Sequence, residues 1–152
     1  MLKKTLFFAI LMFQVHIFSQ ENSFFVKNIS EYNTAIKKAI PNSEIILKNG
    51  IWKDVTLKAY GFGTKDNPIV IKAETAGKVI ISGNSKLLIY GEYIVVEGLW
   101  FKDGNPTSKS IVSFRKNSKE FANNCRFTNN TISYYNPVDG SLKSHWVDLW
   151  GK

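Results

Sequence analysis

The feature that most constrains the fold of this chain is a series of short apolar runs, each bounded by glycine, asparagine or aspartate. The runs are rich in β-branched residues, so each of them predicts a β-strand. Turn-forming pairs such as Asn49-Gly50, Gly83-Asn84 and Asp103-Gly104 separate them. The runs cover residues 44–48, 54–58, 69–73, 78–82, 86–90, 93–101, 110–115, 124–135 and 145–150.

The spacing of the runs distinguishes between two architectures, a parallel β-helix and an antiparallel β-sandwich. Ile46, Val70 and Ile94 lie at the centres of equivalent runs, each 24 residues after the last. Ile111 and Ile132 continue the series less regularly. A repeat in the twenties with two or three strands corresponds to one turn of a solenoid. The spacing therefore favours a β-helix and leaves the sandwich as the alternative.

The corners that such a solenoid needs are also visible in the sequence. Asparagine pairs occur at residues 123–124 and 129–130, between apolar runs. Asparagine tolerates the left-handed backbone conformation that tight corners require. These two pairs are therefore predicted to be corners of the solenoid.

One segment before the first strand predicts an α-helix, residues 29–40. Ser30 is its predicted N-cap, and Pro41 ends it because proline cannot continue the helical hydrogen-bond ladder. The residues predicted to share its apolar face are Tyr32, Ile36 and Ala39, with Ala35 and Ile40 beside them. A solenoid exposes its apolar end unless another element covers it, so the helix is expected to cap the N-terminal end.

The first residues of the chain have the pattern of a secretory signal peptide, residues 1–19. Lys3 and Lys4 precede an apolar run that is too short for a good membrane span, and cleavage is expected after Ser19. The mature domain would then be residues 20–152. We therefore expect a secreted or periplasmic protein without a stable membrane anchor.

The charge of the chain indicates the kind of partner. The 152 residues carry a formal charge of +8, and removal of the two signal-peptide lysines would leave +6. A basic excess in an exported protein favours an anionic partner, of which acidic polysaccharide is the obvious class. Nucleic acid is disfavoured because the basic residues are scattered and Arg115 and Arg126 are the only arginines. The alternative is that the lysines only keep the surface soluble.

Three longer segments resemble the N-terminal coils of polysaccharide lyase family six, which contains alginate lyases and chondroitinase B. The segments are "AIPNSEIILKNGIW" (39–52), "GTKDNPIVIKAETAGKVIISGNSKLLIYGEYIVVEGLWFKDG" (63–104) and "EFANNCRFTNNTISYYN" (120–136). They occur in the order in which the family has them and cover nearly all of the mature chain. The resemblance implies an all-β fold, a right-handed parallel β-helix of the pectin-lyase-like type with an N-terminal capping helix.

The resemblance also implies an enzyme that cleaves uronate-containing polysaccharide by β-elimination. The family is expected to use a lysine and an arginine for proton transfer, and calcium held by asparagine and glutamate in most members. None of these residues can be assigned in this sequence: no catalytic, cofactor-binding or metal-binding residue is predicted. The family places them on later coils, so this chain by itself is expected to be inactive.

Several residue patterns suggest chemistry but have a simpler structural interpretation. Glu92 and Glu97 flank a strand, and two acids do not make a calcium site, which needs six or more oxygen ligands. Cys125, the only cysteine, is expected to pack as a small hydrophobic residue. Ser144, His145 and Asp148 have the residue types of a catalytic triad, but adjacency in sequence is not triad geometry.

Aromatic residues form the last candidate set. Side chains of this kind could stack on sugar rings, but they more often supply buried area in a core, and we predict the buried role. The set is Tyr60, Phe62, Tyr90, Trp100, Tyr134 and Tyr135.

The last residues, "SHWVDLWGK" (144–152), form an apolar strand with no capping element after it. We expect an N-terminal part of a longer lyase, because an uncovered β-helix end invites aggregation. Alginate is the preferred substrate, and dermatan or chondroitin sulfate is the alternative. A non-catalytic β-helix that binds carbohydrate, or a purely structural repeat protein, also remains open.

Overall fold

The structure is a computed structural model that describes residues 22–140 and 142–149. The described part of the chain contains one helix, α1 (Ile29–Lys38), and fourteen strands. The strands are β1 (Ser23–Val26), β2 (Glu44–Leu47), β3 (Gly50–Lys53), β4 (Thr56–Phe62), β5 (Ile69–Ala73), β6 (Val79–Gly83), β7 (Lys86–Glu92), β8 (Ile94–Glu97), β9 (Leu99–Gly104), β10 (Ser110–Ser113), β11 (Ala122–Asn123), β12 (Arg126–Thr128), β13 (Thr131–Tyr135) and β14 (His145–Asp148).

The strands form three sheets, and the chain visits the sheets in turn. Sheet A has the order β1-β2-β5-β8-β12, and sheet B has the order β13-β9-β6-β3. Sheet C is built around β7, which pairs with β4, β10 and β11, and β10 pairs with β14. Every pairing between these strands is parallel. The predicted parallel β-helix is confirmed, and the antiparallel sandwich is wrong.

The core is a column of inward-facing side chains that repeats from coil to coil. In sheet A, Ile45 pairs with Ile71 and Ile71 pairs with Val96, and all three side chains are fully buried. Side chains alternate between the two faces of a strand, so every second residue enters the column. Burial of each such side chain contributes about 1.5–3 kcal/mol, so this stacking stabilises the solenoid.

The register of sheet A differs from the predicted spacing of 24 residues. Pairing of Ile45 with Ile71 and of Ile71 with Val96 makes successive coils 26 and 25 residues apart. Ile46 therefore pairs with Lys72 and not with Val70. The strands were predicted correctly, but corners of different length change the coil length, so a constant interval does not give the register.

The prediction that Ile111 and Ile132 continue the series of Ile46, Val70 and Ile94 is also wrong. Ile111 lies in β10 of sheet C, and Ile132 lies in β13 of sheet B. The strand that continues sheet A is β12, where Phe127 pairs with Val96. All three sheets have apolar runs of similar composition, so the sequence does not distinguish which sheet a run joins.

The helix covers the first coil, as predicted. Tyr32, Ala35 and Ile36 are buried, and α1 contacts β1, β2 and β4. The Tyr32 hydroxyl donates a hydrogen bond to the backbone carbonyl of Lys58 in β4, 3.0 Å away. Burial raises the pKa of Tyr32, so this hydroxyl remains a donor. The helix is thus fixed to the coil that it covers.

The ends of the helix differ from the prediction. The N-cap is Asn28 and not Ser30, which lies inside the first turn. The Asn28 side-chain oxygen accepts a hydrogen bond from the Glu31 backbone N–H (2.9 Å), and the Glu31 carboxylate accepts one from the Lys27 N–H (2.8 Å). This pair of contacts resembles a capping box and starts the helix two residues earlier. The helix ends at Lys38, so Ile40 lies outside it and is 44% exposed.

The two predicted asparagine corners are confirmed. Asn124 and Asn129 have φ angles of 53° and 52°, in the left-handed region. Asn130 also connects adjacent coils, because its side chain accepts a hydrogen bond from the Leu99 N–H (2.8 Å) and donates one to the Val96 carbonyl (2.9 Å).

The predicted signal peptide, residues 1–19, lies outside the described residues. Within residues 22–140 and 142–149, no helix is long and apolar enough to cross a bilayer.

Candidate functional site

A groove on the outer face of sheet C is the candidate site among the described residues. Its volume is about 560 Å³. Its lining combines aromatic, charged and glycine residues from β4, β7, β11 and the segment before β11. These residues are Tyr60, Gly61, Phe62, Tyr90, Gly91, Glu92, Lys119, Glu120, Phe121, Ala122 and Asn123.

The register of sheet C places one row of side chains along the groove. Phe62 pairs with Glu92, and Glu92 pairs with Asn123, so the three residues lie on successive coils. All three are exposed, and Phe62 is 75% exposed. Parallel strands are about 4.8 Å apart, so the row presents an aromatic, an acidic and an amide group at that interval.

The floor of the groove is formed by a row without large side chains. Gly61 pairs with Gly91, and Gly91 pairs with Ala122. The φ of Gly91 is 102°, and a Cβ on this residue would overlap the backbone carbonyl oxygen of Gly61. The close approach of the two backbones therefore requires glycine, and no side chain at these two positions fills the groove.

Beside the floor, Tyr60 and Tyr90 stack on each other. Their ring centroids are 5.2 Å apart and the rings are nearly parallel, at 5°. The Lys116 ammonium lies 5.5 Å from the centroid of the Tyr90 ring. Burial raises the pKa of Tyr90, and the nearby Lys116 charge opposes that effect. The rings of Tyr60 and Tyr90 therefore contact each other, and the Tyr90 ring also contacts Lys116.

The segment between β10 and β11 folds over to form one wall of the groove. An antiparallel bridge joins Arg115 to Phe121, and the Lys116 N–H donates to the Glu120 carbonyl at 2.8 Å. The Lys116 ammonium lies 2.7 Å from the Glu120 carboxylate, which also accepts a hydrogen bond from Asn117 (2.7 Å). The hydrogen bonds from Lys116 and Asn117 lower the pKa of Glu120. These contacts connect the two ends of the segment that forms the wall.

The predicted roles of the aromatic residues are only partly correct. Tyr135 is fully buried, with an edge-to-face contact to Phe101 at 5.9 Å. Trp100 is half-buried, under the Lys102 ammonium at 4.7 Å. Phe62 and Tyr134 are exposed at 75% and 78%, so the core interpretation is wrong for these two.

The alternation of β4 explains the exposure of Phe62. Leu57 and Ala59 face inward and are fully buried, so Tyr60 and Phe62 belong to the outward set. This pattern is readable in the sequence once β4 is known to start at Thr56.

The two glutamates lie on different sheets. Glu92 is exposed in the groove of sheet C, whereas Glu97 is half-buried on sheet A, in register with Lys72. Their separate placement agrees with the interpretation of both as outward-facing carboxylates. Within the described ranges, no group of three or more histidine, cysteine, aspartate or glutamate side chains is close enough to hold a metal ion.

Cys125 is half-buried and packs against the core, as predicted. Its Sγ lies 3.3 Å from the Asn123 carbonyl oxygen, and burial raises the pKa of the thiol. A thiol that resists ionisation is a poor nucleophile.

Two of the three residues with triad chemistry have separate partners. The Ser144 hydroxyl donates to the Ser108 carbonyl (3.2 Å), and the Asp148 carboxylate accepts from the Ser110 hydroxyl (2.8 Å). His145 is exposed. Ser144 and Asp148 are thus engaged with residues of the preceding coil.

These coils define the class of the protein, a parallel β-helix with a helical N-terminal cap and an open groove on one outer face. A sequence model of the chondroitinase B family matches residues 26–152. The chain therefore belongs to the chondroitinase B family, that is, polysaccharide lyase family six. The comparison with curated protein sequences gave no match.

Solved structures of family-six lyases have the same fold. The alginate lyase AlyGC is 34% identical, with a TM-score of 0.83 over 86% of this chain and 18% of its own. Pedsa3628 from Pseudopedobacter saltans is 39% identical, with a TM-score of 0.75 over 82% of this chain and 28% of its own. A mannuronic acid specific lyase from human gut microbiota is 27% identical, with a TM-score of 0.75 over 86% of this chain and 31% of its own. The chain thus spans less than a third of each of these lyases.

Proposed function

We propose that the whole protein is an exported lyase that cleaves uronate-containing polysaccharide, with alginate as the preferred substrate. The observation that carries this proposal is the family match over residues 26–152. Two of the similar solved structures are described as an alginate lyase and a mannuronic acid specific lyase, which favours alginate. The family name favours dermatan sulfate or a related glycosaminoglycan as the second candidate.

The proposed reaction is a β-elimination. A base removes the proton alpha to the uronate carboxylate, and the electron pair moves to form a carbon–carbon double bond as the glycosidic oxygen leaves the adjacent carbon. The intermediate carries extra negative charge next to the carboxylate and needs hydrogen-bond donors or a cation to stabilise it. The product has a new unsaturated, conjugated end.

Calcium, which the resemblance implies for the family, does not fit the described residues. Glu92 and Glu97 lie on different sheets, and two carboxylates are too few for a cation that takes six or more oxygen ligands. The proposed role of this chain therefore involves no calcium site of its own.

We assign to this chain the role of a foundation on which catalytic coils stack, inactive by itself. Its inward columns, such as Ile45-Ile71-Val96, continue from coil to coil and would serve as the template for further coils. We propose export from the signal-like sequence of residues 1–19. A carbohydrate-binding β-helix without catalysis is the alternative from a different class.

The test is a chimera in which residues 22–149 replace the corresponding first coils of AlyGC. We expect the chimera to fold and to release unsaturated product from alginate, whereas AlyGC without these coils should not fold. Circular dichroism and thermal unfolding report folding, and product release reports activity. A chimera that fails to fold, or that folds and releases no product, contradicts the foundation role.

A further inference from the structure

We propose that the groove on sheet C binds a segment of uronate-containing polysaccharide, as a binding site separate from the catalytic step. The inference rests on the proposed function for the class of polymer. Its own evidence is the set of exposed groups that sheet C and the segment 115–121 bring together around Phe62.

The dimensions of the groove suit an oligosaccharide. Ligand sites commonly have volumes of about 300–1,000 Å³, and this groove has about 560 Å³. Phe62, Glu92 and Asn123 lie on three successive coils, about 4.8 Å apart. A pyranose ring with its glycosidic oxygen is of similar length to one such interval. Consecutive sugar units can therefore meet consecutive coils.

Phe62 supplies the apolar contact. A side chain of this size is normally buried, yet it is 75% exposed where it lines the groove. Tyr60 and Tyr90 each have one ring face stacked on the other, and Phe62 is the most exposed aromatic side chain of β4 and β7. The C–H groups on one face of a pyranose ring can pack against such a ring.

Lys119 is the groove residue that can distinguish a uronate from a neutral sugar. Glu120 is already paired with Lys116, whereas the Lys119 ammonium has no ion-pair or hydrogen-bond partner among the described residues. Lys119 is exposed on the wall and can receive the uronate carboxylate. Glu92 and Asn123 can bind sugar hydroxyls. A uronate unit must direct its carboxylate to Lys119 and away from Glu92, which repels it. A neutral sugar can bind Glu92 and Asn123 but leaves Lys119 without a partner.

The contacts within the wall form without a ligand. Lys116 contacts both the Tyr90 ring and the Glu120 carboxylate, and the backbone of Lys116 is hydrogen-bonded to that of Glu120. Preorganisation of this kind lowers the entropy cost of binding. Lys119 sits between these fixed points in the sequence.

The experiment measures binding of a purified alginate hexasaccharide to the 152-residue chain by calorimetry or NMR titration, up to about 10 mM, well above a Kd of about 1 mM. Phe62→Ala and Lys119→Gln test the groove. Matched controls are Ile51→Ala, which removes a side chain that is 72% exposed on sheet B, and Lys78→Gln, which removes an exposed lysine at another corner. A neutral hexasaccharide such as cellohexaose tests the requirement for a carboxylate.

We expect each groove variant to raise the Kd about three- to tenfold, with no change in the two controls. The effect of Lys119→Gln should shrink at high salt because it removes a charge–charge contact. Absence of hexasaccharide binding, equal effects of groove and control variants, or equal binding of the neutral hexasaccharide would overturn the inference.

The result is separable from the test of the proposed function. Binding in the groove together with an inactive chimera would support the binding site and contradict the proposal that these coils are the foundation of a lyase. An active chimera without binding in the groove would support the foundation role and contradict the binding site.

Discussion

The Tyr135 hydroxyl makes two hydrogen bonds to the backbone of Ser85, a residue 50 positions earlier. It accepts from the Ser85 N–H at 3.1 Å and donates to the Ser85 carbonyl at 3.0 Å, and both residues are buried. Burial raises the pKa of Tyr135, so the hydroxyl keeps the proton that it donates. One side chain from β13 thus provides hydrogen-bond partners for the backbone N–H and carbonyl of Ser85, at the corner between β6 and β7.

Replacement of Tyr135 by phenylalanine should therefore destabilise the fold. The change keeps the ring but leaves the Ser85 N–H and carbonyl without this partner, at a cost of about 2–4 kcal/mol in the free energy of unfolding. Urea denaturation measures the loss. Tyr134→Phe is the matched control because Tyr134 is 78% exposed, and a loss of similar size in both variants would contradict the role of the buried hydroxyl.

The N-cap of the helix gives a second prediction, which distinguishes Asn28 from Ser30 as the capping residue. Asn28→Ala removes the acceptor for the Glu31 N–H and should lower the free energy of unfolding by about 1 kcal/mol. Ser30→Ala should change stability little, because Ser30 lies within the helix. Equal or reversed effects of the two substitutions in thermal unfolding would show that Asn28 is not the cap.

The glycine floor of the groove gives a third prediction. Gly77 and Gly91 both have positive φ, but a Cβ on Gly77 meets no atom within 4 Å, whereas one on Gly91 overlaps the Gly61 carbonyl oxygen. Gly77→Ala should cost about 1–2 kcal/mol for the backbone conformation alone. Gly91→Ala should cost at least about 3 kcal/mol, because the backbones of β4 and β7 must separate. Equal costs in urea denaturation would mean that the close approach is absent.

The Lys116–Glu120 pair gives a prediction for pH. Hydrogen bonds lower the folded-state pKa of Glu120 below its value in the unfolded chain. The stabilisation is therefore fully present above the unfolded-state pKa and is lost as the pH falls through the folded-state pKa. An NMR titration of the Glu120 carboxylate should show a lowered midpoint that rises in Lys116→Gln. A midpoint that does not move in this variant would contradict the pairing.

The sequence was sufficient to predict the strands, the corners and the helix because the signals for them are local, whereas the choice of a β-helix over a sandwich rested also on the family resemblance. Apolar runs, asparagine corners and the amphipathic helix each occupy a few consecutive residues, and most of the predicted runs correspond to strands. The register was not predictable, since it depends on corners of unequal length. Tyr93 is the single residue between β7 and β8, whereas residues 63–68 separate β4 from β5.

The groove was not predictable for a different reason. The residues of its wall, 115–121, read as a polar, charged segment, and Lys116 and Glu120 have the spacing of an ordinary helical ion pair. Only the fold shows that this segment turns back over Tyr90. The exposed position of Phe62 could have been inferred from the alternation of β4, but its neighbours Glu92 and Asn123 come from other coils.

The most direct test concerns the claim that these coils are a foundation and a binding surface and do not carry the elimination chemistry. The measurement is absorbance at about 235 nm, where the conjugated product of elimination absorbs, for the 152-residue chain with alginate or dermatan sulfate, with and without calcium. We predict no increase in absorbance with either polymer. A protein-dependent increase that heat denaturation abolishes would contradict the claim and would locate the base within these residues.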